Sequence, residues 1–210
     1  MIINAGFLDQ WEHKGHRYGE CMSHKDSPLM YVYISKNASS WTKPNLKDFC
    51  WEFYNYHNDQ LDKHAMIVLR DPVERWLSGI AEYFALYHNT IDTTQFNSAF
   101  FDLVFDRVCF DDHTACQVNF LDGLDTENCT FLYCDSDYSK NFSNFVAEHL
   151  GPNRYAMYTK QHVSRLSPVR RQFNGIFKDA IQNSKYLEQV KQYYKQDYTL
   201  INQVKFYGTR

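Results

Sequence analysis

The sequence predicts a single α/β domain built on a central parallel β-sheet flanked by helices. Three short apolar runs, rich in β-branched and aromatic residues, are typical of buried strands: residues 29–34, 65–69 and 130–134. More polar, helix-like segments separate these runs, and strands that alternate with helices favour a parallel sheet. A chain of 210 residues has the size of one such domain.

The segments between the predicted strands carry helix signals. Pro44 and Pro72 stand near the starts of two of them, where proline is tolerated because first-turn N–H groups have no intrahelical partner. An irregular, polar N-terminal arm is expected over residues 1–28 and the α/β domain over 29–210, with a loop at 152–170. Helices are expected over residues 40–54 and 72–87, within 88–112, over 113–121, between 135 and 150, and over 169–205 with a break near 183–184.

Composition argues against several classes of protein. The net charge of −3 does not suit a dedicated nucleic-acid binder. No apolar run approaches the length of a membrane span, and residues 1–20 lack the basic start and apolar stretch of a signal peptide, so a soluble cytoplasmic protein is expected. The six cysteines show neither CxxC nor zinc-like spacing, so no metal site is expected.

The first candidate site is a short polar loop between a predicted strand and a predicted helix. It reads Ser35-Lys36-Asn37-Ala38-Ser39-Ser40-Trp41. Small residues in such a loop expose successive backbone N–H groups, and the helix start adds partial positive charge, so together they form an anion site. Lys36 adds a mobile cation, and Ser39 and Ser40 add hydroxyl donors. The alternative is a polar turn in which Lys36 is simply solvated.

The second candidate site follows the next predicted strand and reads RDPVERWLS, from Arg70 to Ser78. Arg70 ends its strand, and the carboxyl ends of parallel strands are where open α/β sheets bind ligands. A guanidinium offers a planar fork to phosphate oxygens, and Ser78, two turns into the helix, adds a hydroxyl. The alternative is that Arg70 pairs with Asp71 or Glu74 and Ser78 is an ordinary surface residue.

Taken together, the two loops resemble the sulfotransferases that use 3′-phosphoadenosine-5′-phosphosulfate (PAPS). In that family the first loop grips the 5′-phosphosulfate, which places Lys36 on the family's lysine, and the second grips the 3′-phosphate, which places Arg70 and Ser78 on its arginine and serine. Ser35 stands where the family usually has proline, and Asn37 where it has threonine. The resemblance assigns donor binding to Lys36, Asn37, Ala38, Ser39, Ser40, Trp41, Arg70, Ser78, Lys160 and Ser164.

Further segments extend the resemblance over about residues 29–206 and imply a P-loop-like domain. Residues 117–123 resemble the Q-x-x-F-x-x-G segment of the uronyl and heparan 2-O-sulfotransferase branch. Residues 131–135, followed by a helix that ends in Leu-Gly, are similar to the family's third strand. Residues 160–167 resemble the loop that closes over the adenine and 3′-phosphate, and residues 193–200 the closing helix.

The resemblance implies metal-independent, in-line transfer of a sulfuryl group, with Lys36 neutralising charge on the leaving oxygen. A base must take the proton of the acceptor hydroxyl. His57 is the first candidate, since residues 57–62 look like the HxxxLD stretch that carries the base in the 2-O-sulfotransferase branch, with Asp59 or Asp62 to orient it. His113 is the second candidate and Glu82 the third.

Two other functions stay open. A P-loop nucleotide kinase shares the strand, loop, helix and lysine, but needs a glycine-rich loop and a magnesium site that the sequence does not display. A non-catalytic nucleotide-binding module of the same fold is the other, although a site that has lost its activity has no physical need to keep two separated cations. For a sulfotransferase, the acceptor is expected to be a hydroxyl of a glycan or of a small molecule.

Overall fold

The computed structural model describes residues 1–3, 18–48, 50–57, 63–150 and 167–208. Within these ranges the chain is a mixed α/β structure with one five-stranded sheet. The strands are β1 (Glu20–Ser23), β2 (Leu29–Val32), β3 (Glu52–Asn55), β4 (His64–Leu69) and β5 (Cys129–Tyr133). The α-helices are α1 (Ser39–Asp48), α2 (Pro72–Tyr87), α3 (Ser98–Arg107), α4 (Tyr138–Leu150), α5 (Pro168–Ala180), α6 (Ser184–Tyr193) and α7 (Lys195–Gln203), and 3-10 turns cover Thr93–Gln95, Gln117–Leu121 and Thr126–Asn128.

The sheet has the strand order β3-β1-β2-β4-β5. β2 pairs in parallel with β4, and β4 pairs in parallel with β5, whereas β1 is antiparallel to both β2 and β3. Four strands therefore run in one direction, and β1 alone runs the other way. The predicted parallel arrangement is confirmed for the three strands that the sequence identified, which are neighbours in the sheet.

Successive side chains along each strand point alternately into two apolar layers, one on each face of the sheet, as the period of two along a strand requires. In β2, Met30 and Val32 face the layer formed mainly with α2, α3, α5, α6 and α7, while Leu29 and Tyr31 face the layer formed with α1 and α4. All four side chains are at least 98% buried. Because both faces are covered, the central strands read as continuous apolar runs, which is why the sequence reveals them.

The prediction of one helix over residues 40–54 is wrong beyond Asp48. The chain leaves α1, passes through Cys50 with a positive φ of 61°, and enters the edge strand β3, which pairs with β1. The segment Trp51–Asn55 is rich in aromatic residues, which favour a half-buried strand over a helix. Pairing with β1, a strand that the sequence did not reveal, decides the conformation.

The prediction of an irregular arm over residues 1–28 is also wrong in part, because β1 lies inside the sheet. Cys21 faces one apolar layer and Met22 the other, and both are fully buried. A four-residue strand with one serine and one glutamate is too short for its alternation to stand out from a polar background. Its partners β2 and β3 supply the hydrogen bonds that fix it.

The helix predictions after β4 are largely confirmed. α2 begins and ends at the predicted residues, with Asp71 capping its start by accepting a hydrogen bond of 2.9 Å from the Glu74 amide. The long C-terminal helix breaks at the predicted place, where Asn183 caps α6, and again at Tyr194, which the sequence did not indicate. None of the helices in the described ranges is long and apolar enough to cross a membrane.

Candidate functional site

The two sequence-predicted loops meet at the carboxyl ends of β2 and β4, which are adjacent parallel strands. From β2 the chain runs through α1 to β3 on one side, whereas from β4 it runs through α2 towards β5 on the other side. The connections thus diverge between these two strands. In open α/β sheets, a crevice for ligands forms at such a point.

The loop after β2 is held in a strained shape. Lys36 and Ala38 both have positive φ, 69° and 56°, which costs a non-glycine residue about 1–2 kcal/mol each. Between them, Asn37 is fully buried and donates its side-chain amide to the Val68 carbonyl at 2.7 Å and to Gln117 Oε1 at 2.6 Å. The Asn37 side chain therefore anchors the loop inward, and only its backbone can face a ligand.

Gln117 ties the two loops together. Its Oε1 accepts from the Arg70 amide at 3.0 Å, and its Nε2 donates to the Arg70 carbonyl at 3.0 Å and to Asp197 Oδ2 at 3.2 Å. One buried amide thus fixes the end of β4, the Asn37 anchor and α7 relative to one another. The sequence marked Gln117 only as part of a segment resemblance, because its position beside both loops depends on the fold.

The sequence-predicted pair of cations lies side by side. Arg70 donates from Nη1 to the Lys36 carbonyl at 3.3 Å, and its Nη2 lies 3.5 Å from the exposed Glu74 carboxylate. The alternative prediction, that Arg70 pairs with Asp71 or Glu74, is therefore confirmed for Glu74. Arg70 Nε is buried and has no hydrogen-bond partner within the described part of the chain.

A third cation completes the cluster. Arg170, in the first turn of α5, donates from Nη2 to Ser78 Oγ at 3.2 Å and forms an ion pair of 2.8 Å with Glu82. Glu82 also pairs with Lys36 Nζ at 3.2 Å. Ser78 and Glu82 are one turn apart on α2, so they share a face. The sequence did not single out Arg170, because it falls in a segment that reads as a basic loop.

Burial is the main reason that the pKa of Lys36 falls, to about 8. The neighbouring guanidinium groups of Arg170 and Arg70 lower it further, and the Glu82 carboxylate only partly offsets them. Burial disfavours the charged form of Glu82 too, but the positive charges of Lys36 and Arg170 outweigh it, so the pKa of Glu82 is lowered. The cluster is an electropositive site with a carboxylate at its centre.

The lowered pKa of Lys36 predicts that anion binding at this site would depend on pH. Affinity for inorganic sulfate, whose own charge is constant here, is expected to fall as pH rises from about 7 to about 9, because Lys36 loses its proton over that range. Calorimetric titration at several pH values measures this. Lys36→Arg, which stays charged, should bind sulfate with little pH dependence. An equal fall in both proteins would contradict the role given to Lys36.

His113 lies beside this cluster, on the loop before the 3-10 turn Gln117–Leu121. Its Nδ1 lies 2.8 Å from Asp111 Oδ2 and 3.1 Å from Asp112 Oδ1. Gly79 of α2 fits against the same loop, since a Cβ there would lie 2.1 Å from the His113 carbonyl oxygen. The charge of His113 contributes to the lowered pKa of Glu82, which places the ring within electrostatic reach of the cation cluster.

His57 also lies at the carboxyl end of a strand, but that strand is β3, at the side of the sheet away from the cation cluster. It is exposed, follows β3, and packs against Tyr56, with ring centroids 4.3 Å apart. A Cβ at Gly19 would lie 2.5 Å from His57 Cδ2. Since β3 is separated from β2 by β1, the structure does not bring His57 to the Lys36 loop.

The other sequence-predicted residues are placed as follows. Ser39 is buried at the start of α1, Ser40 is exposed, and the Trp41 ring packs edge-on against Phe142 at 5.5 Å. Lys160 and Ser164 lie outside the described residues, as do Asp59 and Asp62.

Arg75 is fully buried, and its guanidinium spans three backbone carbonyls. Nε donates to Ser35 at 2.9 Å, Nη2 donates to Asp112 at 3.0 Å, and Nη1 donates to Ala115. Asp112 in turn accepts a hydrogen bond of 2.6 Å from Ser35 Oγ. Arg75 thus links the first loop to the loop that carries His113, and it holds the backbones of these two loops in place relative to each other.

The cluster of Asp111, Asp112 and His113 is the group of possible metal ligands found in the described ranges, with ligand atoms within 4.8 Å of one another. The contacts of both carboxylates with His113 Nδ1 account for this spacing without an ion. The arrangement suits a histidine whose ring orientation is fixed by carboxylates.

Comparison with known proteins does not place this chain in a family. Neither the protein-family models, the curated proteins nor the solved structures gave a match to this chain. The chemistry of the site therefore rests on its own geometry and on the resemblance of the two loops.

Proposed function

We propose that this protein is a sulfotransferase with a P-loop-like domain, which transfers a sulfuryl group from PAPS to a hydroxyl. The observation that carries the proposal is the meeting of Lys36 and Arg70, from two separate motifs, at the point where the connections of the sheet diverge. Ser78 and Arg170 extend this pair into a cluster that suits a molecule with two anionic ends. That the cluster already holds the Glu82 carboxylate supports its fitness for anions.

The resemblance and the contacts together assign one end of the donor to each loop. Lys36, with the backbone N–H groups at the start of α1, would hold the 5′-phosphosulfate. Arg70 and Ser78 would hold the 3′-phosphate, and Arg170, which already donates to Ser78, adds a second guanidinium there. Lys160 and Ser164 remain predicted contacts of the same end.

PAPS, when bound, supplies the sulfuryl group: a bond forms between the acceptor oxygen and sulfur, and the sulfur–oxygen bond to adenosine 3′,5′-bisphosphate breaks. Lys36 neutralises negative charge that grows on the leaving oxygen, and such preorganised charge is usually the largest catalytic contribution. The acceptor hydroxyl must lose its proton to a nearby base. None of these steps requires a metal.

We assign the base to His113 rather than to His57. Donation of the Nδ1 hydrogen to Asp111 Oδ2, 2.8 Å away, leaves the lone pair of the neutral ring on Nε2, the tautomer that a general base needs. His113 lies within electrostatic reach of Glu82 and so of Lys36, whereas His57 belongs to β3. Asp111 and Asp112 would also stabilise the imidazolium that forms when the ring takes the proton.

His113→Asn is expected to lower turnover by roughly a hundred- to ten-thousand-fold, the usual contribution of a positioned base. The dissociation constant of adenosine 3′,5′-bisphosphate should change little, because in the proposed reaction His113 acts on the acceptor and not on the donor. His57→Asn is the matched control and should keep its turnover. If His57→Asn loses turnover and His113→Asn does not, the assignment of the base is wrong.

The proposed reaction is tested by incubating the protein with PAPS and separate pools of glycan and small-molecule hydroxyl acceptors. Acceptor-dependent release of adenosine 3′,5′-bisphosphate, with EDTA present, is the expected result. The same assay with ATP and Mg²⁺ tests the nucleotide kinase, which should instead release ADP. Binding of the bisphosphate without turnover on any pool would favour the non-catalytic module.

A further inference from the structure

Glu82 occupies the middle of the cation cluster. Its Oε2 lies 3.2 Å from Lys36 Nζ and 2.8 Å from Arg170 Nη1, so one carboxylate oxygen joins the first loop to α5. The side chains of Lys36, Arg170 and Glu82 are only 13%, 17% and 24% exposed. Ion pairs that are partly withdrawn from water interact more strongly than surface pairs.

A carboxylate in this position competes with any bound anion. Lys36 and Arg170 each direct a charged N–H group at Glu82, and both are also donors that we propose for the PAPS anions. A phosphate or sulfate group cannot take these donors unless Glu82 gives them up. Neither Arg70 nor Ser78 contacts Glu82 among the described interactions, so an anion can reach them before Glu82 moves, although Arg70 must then share its guanidinium with Glu74.

We propose that Glu82 is a built-in counter-anion, which the donor must displace, and that it sets the affinity and selectivity of the site for multiply charged anions. A singly charged anion that takes over Lys36 and Arg170 only replaces the two ion pairs that Glu82 already forms, so its net gain there is small. A donor with charge at both ends gains more, because it also engages Arg70 and Ser78. The inference rests on the proposed function for the identity of the donor only.

A third charged side chain lies within electrostatic reach of Glu82. Glu82 projects from α2, and the facing charged groups are Lys36 from the first loop, Arg170 from α5 and His113 from the loop before the 3-10 turn. Released by the two cations, Glu82 keeps His113 as a neighbour. An imidazolium there, formed when His113 takes the acceptor proton, would compensate the carboxylate charge.

The test compares Glu82→Gln with the unmodified protein by calorimetric titration of adenosine 3′,5′-bisphosphate and, separately, of inorganic sulfate. Glu82→Gln keeps the shape and removes the charge, so both ligands should bind at least about tenfold more tightly, the equivalent of roughly 1.4 kcal/mol. The control is Glu188→Gln on α6, the same change at a 69% exposed site paired with Lys191. It should alter either affinity less than about twofold.

The outcomes separate this inference from the proposed function. If the bisphosphate binds the unmodified protein and Glu82→Gln with equal affinity, the counter-anion is refuted and the sulfotransferase proposal stands. If only sulfate binds, more tightly to Glu82→Gln, the counter-anion stands and the donor assignment fails. If neither ligand binds either protein, both fail. Should Glu82→Gln not fold, Glu82→Asp, whose shorter carboxylate withdraws from the cations, must shift the affinities in the same direction.

Discussion

Replacing Lys36 by methionine is expected to lower turnover by about a hundred- to a thousand-fold, the loss seen when one preorganised charge-stabilising donor is removed. Methionine matches the length of the lysine stem but carries no charge. The ammonium group is buried against Glu82, and its lowered pKa shows how strongly the surroundings act on it. In the proposed reaction this charge faces the leaving oxygen, where negative charge grows.

The measurement is the rate of bisphosphate release from PAPS at saturating acceptor. Affinity for adenosine 3′,5′-bisphosphate should fall far less than turnover, because Arg70, Ser78 and Arg170 still hold the other end. Lys47→Met, the same change at an exposed position late in α1, is the control and should leave the rate unchanged. A rate for Lys36→Met within about threefold of the unmodified protein would contradict the role of Lys36 in charge stabilisation.

Replacing Arg75 by methionine is expected to lower the free energy of unfolding by about 3–5 kcal/mol, because three buried carbonyls lose their donor and each such loss costs at least about 1 kcal/mol. Three backbone carbonyls, of Ser35, Asp112 and Ala115, would lose a donor in a site that water does not reach. An unsatisfied buried acceptor costs about 1–3 kcal/mol. The free energy of unfolding of a native domain is about 5–15 kcal/mol in total, so this loss would leave the variant only marginally stable.

Urea denaturation measures this effect. Arg107→Met is the control, because Arg107 is exposed at the end of α3 and donates to one carbonyl, of Cys109. It should lose less than about 1 kcal/mol. If the free energy of unfolding of Arg75→Met falls by less than about 1 kcal/mol, Arg75 does not hold the two loops of the site in place.

The sequence predicts the parts of the fold that are buried on both faces. β2, β4 and β5 stand out as apolar runs, and α2 is bounded by Asp71 and Pro72. β1 and β3 do not stand out, because four-residue strands show too little alternation and depend on pairing with each other. Local pattern therefore predicts the centre of the sheet and not its antiparallel edge.

The candidate site divides in the same way. Lys36, Arg70 and Ser78 are predictable, because each follows a recognisable strand. Arg170 and Gln117 are not, because they reach the site from segments 92 and 47 residues away from Ser78 and Arg70, respectively. His57 and His113 cannot be ranked from sequence, since only the strand order separates β3 from the Lys36 loop.

The central claim, that two separate cationic loops hold the two anionic ends of one donor, is tested most directly by ligand-induced stabilisation. Adenosine 3′,5′-bisphosphate, with EDTA present and at about 100 times its dissociation constant, should raise the free energy of unfolding by about 2.7 kcal/mol. Adenosine 5′-monophosphate, which lacks the 3′-phosphate, should stabilise much less, and Arg70→Ala should remove that difference. Stabilisation by ATP with Mg²⁺ but not by the bisphosphate would contradict the account.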